Sequence, residues 1–206
     1  MSRFEIENYV KESLFLLPDS LIFGSFLFSL ITLSSQHGLL FFSILESLVF
    51  LSGYQSVSSF LFGEVPENIA CKSSLFKHTF EDVFMKPSAN IPSYGMYIVT
   101  FVSSYLVSGL LNLKSELNVL DTTYLKQYNF GLISLGLLVI AYSFFRVNFK
   151  CDSTLSIILA LFLGVVTGFA ISYQNQQLFG RNSTNFLGIP LIRNKTVNGE
   201  PIYICS

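Results

Sequence analysis

Between Thr154 and Tyr173 the chain runs for twenty residues without a charge (TLSIILALFLGVVTGFAISY). A helix of about 20 apolar residues crosses the roughly 30 Å of hydrocarbon in a bilayer. Backbone amides find no water at that depth, so a segment that spans must be helical or belong to a closed barrel. Four stretches of the same character come earlier: Leu14–Leu33, with Pro18 and Asp19 near its start; Gly38–Phe62, with Glu46 inside it; the uncharged Ile91–Leu111; and the shorter Phe130–Phe145. Composition agrees. Only 12% of the 206 residues are charged and mean hydropathy is +0.56, whereas soluble domains carry roughly 25% charge. The expected fold is all-α: a multi-pass transmembrane bundle of about five helices over residues 1–173, with a polar C-terminal tail at 174–206.

The same numbers exclude other classes. Disorder needs low hydrophobicity and high net charge, and this chain is 51% hydrophobic with net charge −1. Twelve Lys and Arg against thirteen Asp and Glu leave no basic field to hold nucleic acid. Cys71, Cys151 and Cys205 are too few and too scattered for a disulfide framework or a zinc site, and no metal or cofactor is expected. Glu5, Glu7 and Glu12 make a poor signal-peptide n-region, so the first span is read as a retained helix.

Five spans put the N-terminus, the polar segment 63–90 and the loop 146–153 on one side of the membrane. The stretch SSLFKHTFEDVF within 63–90 has apolar residues at helical spacing and is expected to lie along the interface. That side carries seven Lys and Arg against five on the other, so the positive-inside rule favours a cytosolic N-terminus. The triplets Asn182-Ser-Thr and Asn194-Lys-Thr then fall on the lumenal or external side, which suits the endoplasmic reticulum or another internal membrane.

Polar residues gather at helix ends on the first of these sides: Lys77-His78 and Lys86-Pro87, then Pro92-Ser93-Tyr94-Gly95, then Arg146 and Asp152. Cations beside a helix N-terminus suit an anion, because free N–H groups and the helix dipole both favour negative charge. In order and spacing these groups resemble the three motifs of the type 2 phosphatidic acid phosphatase family, its dolichyl diphosphatase branch in particular. Those motifs are K-x6-R-P, then P-S-x-H opening a helix, then S-R-x5-H-x3-D before a glycine-bearing helix. The resemblance spans residues 14–173 by helix order and implies phosphate or lipid-headgroup contact at Lys77, Lys86, Ser93 and Arg146.

The departures fall on the chemistry. Lys86 stands for the family's arginine, and a lysine lacks the bidentate fork that suits phosphate. Lys77 lies two residues too far upstream. Gly95 takes the place of the histidine that would protonate the leaving group, and Asp152 that of the attacking histidine. Phe145 and Ser156 replace the flanking serine and aspartate. An attack through phospho-histidine needs an imidazole and a partner to orient it; Asp152 is an anion facing an anionic substrate. His78 is on the right side but sits in an amphipathic segment, and His37 is expected in a solvated hairpin on the other side.

Glu46 is expected to make a helix contact or to lie near the surface, Asp19 to cap the first helix at the interface, and the serine clusters to serve packing. The function expected is therefore a membrane protein with a phosphatase-like but inactive core, touching lipid headgroups or serving as a structural component. An active dolichyl-diphosphatase-like enzyme is one alternative. A structural subunit with protein partners, in an organellar complex or virion membrane, is the other.

Overall fold

The computed structural model describes residues 11–63, 71, 91–114, 122–186, 191–197 and 200–204. Over these the chain forms five long helices: α1 (Leu17–Thr32), α2 (Ser35–Phe62), α3 (Tyr94–Asn112), α4 (Thr122–Asn148) and α5 (Thr154–Phe179). Helices α2 to α5 are each long and apolar enough to cross a bilayer, and α1 is a shorter apolar helix of 16 residues. The chain is thus an integral membrane protein built on an all-helical bundle.

Proline decides how α1 begins. Residues 11–15 are helical, a turn follows at Leu16, and α1 restarts at Leu17 with Pro18 in its first turn. The ring is tolerated there because first-turn N–H groups have no intrahelical acceptor in any case. Asp19 therefore does not cap the helix from the interface. It lies inside the first turn, buried, where the helix dipole favours a carboxylate.

Only Leu33 and Ser34 separate α1 from α2. His37 is consequently not a solvated loop residue: it sits in the first turn of α2, half-buried, its ring 5.8 Å from Phe28 and 5.6 Å from Phe186. The apolar core of the fourth span is only 16 residues long. Its polar flank continues the same helix, so α4 reaches 27 residues. Helix α5 runs on past Tyr173 to Phe179 and stops at Gly180, whose φ of +83° no longer continues the helix.

Helix α3 is the hub, in contact with all four others and most extensively with α5. Fourteen of its nineteen residues are buried. The close approach of α5 comes from Gly164 and Gly168, one turn apart in the sequence GVVTG. A Cβ on Gly164 would stand 2.9 Å from Thr100 Cβ, and one on Gly168 would stand 2.8 Å from the Phe101 carbonyl oxygen. Without water to drive association, small residues that let backbones meet are a main source of attraction between helices in lipid. Ser104 Oγ adds a bond across this seam to the Gly164 carbonyl at 3.0 Å. On the outside, α4 exposes Phe130, Ile133, Leu137, Ile140, Phe144 and Val147, a face that hydrocarbon would cover.

After α5 come a 3-10 turn (Arg181–Thr184) and two antiparallel strands, β1 (Leu191–Val197) and β2 (Glu200–Ile204). The pair is a small departure from helix in what reads as a polar tail. Its sequence signal is the Asn198-Gly199 dipeptide between two β-branched runs. Of the segment 63–90, Gly63 at the end of α2 and Cys71 are among the described residues; the interfacial helix expected there lies outside them. Cys71 is nonetheless informative. It is disulfide-bonded to Cys151, 80 residues away, with Cα atoms 5.4 Å apart. Spacing in sequence argued against a disulfide, but the fold brings the two loops together.

Candidate functional site

The helices alternate in direction, which collects the start of α1, the end of α2, the starts of α3 and α5 and the end of α4 at one end of the bundle. Side-chain contacts fix this. Gln55 Nε2 donates to the Pro92 carbonyl at 3.2 Å, and Ser58 Oγ donates to that of Ile91. Pro18 packs against Gly95, and Phe15 meets Phe145 with ring centroids 5.0 Å apart.

Three of the residues singled out in the sequence meet here. Ser93 is the N-cap of α3: its Oγ accepts from the Met96 N–H at 3.4 Å and donates to Asp152 Oδ2 at 2.7 Å. Arg146, in the last turn of α4 where a cation suits the helix dipole, donates from Nε to the same carboxylate oxygen at 2.6 Å. The Asp152 side chain is fully buried and that of Arg146 is 7% exposed. The short loop between them is shaped for this. Lys150 takes a left-handed φ of +52°, and the Cys151 N–H returns to the Arg146 carbonyl at 3.0 Å, turning Asp152 back beneath α4. The start of α5 completes the frame, with Ser93 N–H donating to the Ser156 carbonyl at 3.4 Å.

One carboxylate oxygen thus receives both a hydroxyl and a guanidinium donor, the arrangement that would hold a phosphoryl oxygen. Charge-assisted bonds of this kind are about twice as strong as neutral ones, and burial removes the water that would compete for them.

The position of Gly95 is closed as well. A Cβ there would lie 2.6 Å from the Tyr142 hydroxyl and 3.3 Å from Pro18 Cγ. Tyr142 is 1% exposed and within electrostatic reach of Arg146, Asp152 and Asp19. Tyr142 and Asp19 are members of this cluster that sequence reasoning did not select. Helix parity places both at this end, and an aspartate two residues into an apolar helix was the available signal. Lys77, Lys86 and His78 lie outside the described residues.

His37 is at the opposite end of the bundle, with Nδ1 3.0 Å from Ser34 Oγ. Among the described residues no group of three His, Cys, Asp or Glu side chains converges as a metal site would require. Glu46 is half-buried and accepts a hydrogen bond from Gln174 Nε2 at 3.2 Å, a contact between neighbouring helices. Deeper in the bundle, Tyr97 donates to the Ser47 carbonyl at 3.1 Å. Asn175 Nδ2 donates to Ser43 Oγ at 2.7 Å and to the Tyr105 hydroxyl at 2.8 Å. These bonds tie α2, α3 and α5 together.

No protein-family model, curated protein or solved structure matches the chain.

Proposed function

We propose that this chain is a non-catalytic integral membrane protein whose bundle resembles that of a type 2 phosphatidic acid phosphatase, with a closed polar core in place of the substrate pocket. The observation that carries the reading is that Ser93 Oγ and Arg146 Nε both donate to Asp152 Oδ2. Two of the four groups that the resemblance assigns to phosphate, Ser93 and Arg146, are engaged with an internal carboxylate. That carboxylate stands where the attacking imidazole would be. Expelling it to admit a substrate would strand a buried anion, a change that costs several kcal/mol. The cluster therefore acts as a clasp between α3, α4 and the start of α5.

The protein serves as a structural component of its membrane, and what headgroup contact it makes runs through the cations Lys77 and Lys86 of the polar 63–90 segment. We place it in the endoplasmic reticulum or another internal membrane, whose lumen is oxidising and so suits the Cys71–Cys151 bond.

Phosphate release tests this. The purified protein in detergent, given phosphatidic acid or a polyprenyl diphosphate, is expected to release no more phosphate than buffer does. Release by the wild type that disappears in Asp152→Ala, with the variant still folded, would establish an active phosphatase instead.

A further inference from the structure

The disulfide fixes a direction for the whole bundle. Cys71 and Cys151 are both 3% exposed and sit at the end that carries the Ser93–Arg146–Asp152 cluster. Residues 11–15 belong to that end too, since the Lys11 ammonium lies 4.8 Å from the centre of the Phe149 ring. The other end is marked by Arg181, which donates to the Asn112 carbonyl at 2.7 Å, and by Phe186 against His37.

Disulfides persist in oxidising compartments and are rare where glutathione and thioredoxin keep thiols reduced. We infer that the end carrying the disulfide, with the start of α1 and the 63–90 segment, faces the lumen or exterior, and that the residues after α5 face the cytosol. Closing the bond removes two protons and two electrons from the two thiols. A disulfide-carrying oxidant of that compartment takes them up by thiol–disulfide exchange. The charge bias points the other way, but by seven cations to five. A statistical preference so narrowly expressed yields to a covalent bond that needs an oxidising side.

With the residues after α5 in the cytosol, neither Asn182 nor Asn194 meets the glycosylation machinery.

Glycan mapping on the full chain, translated into endoplasmic reticulum membranes, decides the matter. Lys77→Asn completes an acceptor triplet with His78 and Thr79, fifteen residues beyond the end of α2. This variant is expected to gain one endoglycosidase-sensitive glycan while the unaltered chain carries none; the reaction occurs on the nascent chain and does not wait for folding. A glycan on Asn194, or none on the Lys77→Asn variant, overturns the orientation. In parallel, alkylation of the denatured chain without reductant is expected to modify one of its three cysteines, and two in Cys71→Ser. Modification of all three in the unaltered chain removes the premise.

Discussion

A methyl group placed on Gly95 would meet the Tyr142 hydroxyl at 2.6 Å, well inside contact distance. Gly95→Ala is therefore expected to destabilise the bundle by about 1–3 kcal/mol, the usual range for overpacking. Adding Tyr142→Phe, which deletes the obstructing oxygen, is expected to recover most of that loss. Unfolding in mixed micelles of increasing SDS fraction measures both. Equal loss in the single and double variants would mean that the hydroxyl is not what closes the position. At this scale the sequence was informative where motif spacing constrained it. Ser93, Arg146 and Asp152 could be singled out because each stands at a helix end on one side of the membrane. Tyr142 and Asp19 could not, because one looks like a lipid-facing aromatic and the other like an interfacial cap. Only the packing of α1 and α4 on α3 shows that both point inward.

Helices obey coarser rules, and these were largely legible. Apolar length located all five, since nothing but a helix satisfies its own backbone in hydrocarbon. Their ends were less so: α4 begins in polar sequence and α5 continues through Asn175 and the two glutamines after it, because a helix does not stop where hydrophobicity does. The strand pair was missed for the opposite reason, a short polar context masking an Asn-Gly signal. The α3–α5 seam gives the prediction proper to this scale. Gly164→Val and Gly168→Ala are expected to lower stability by about 1–3 kcal/mol each by forcing the helices apart. By contrast, Gly53→Ala and Gly136→Ala, where an added Cβ meets nothing within 4 Å, are expected to be neutral or mildly stabilising. Thermal unfolding in detergent separates the two pairs. Similar behaviour in all four would show that the seam does not depend on close backbone approach.

Among the described residues, a buried ion pair, Arg146–Asp152, lies at one end of the bundle. Its outer faces are apolar, its interior combines large apolar side chains with small residues and hydroxyls, and the Arg146–Asp152 pair with Ser93 links the end of α4 to the start of α3. A disulfide at the same end ties Cys71 to Cys151 in the α4–α5 loop, next to Asp152. The cysteine count could not reveal that bond, because it depends on which loops the helices bring together. Arg146 and Asp152 act as a unit at the closed end of the bundle, and a double-mutant cycle on global unfolding measures that directly. Arg146→Met and Asp152→Leu are each expected to cost about 3–5 kcal/mol by leaving a buried charge uncompensated, and the double variant to cost clearly less than either. Losses that simply add, within about 0.5 kcal/mol, would contradict it.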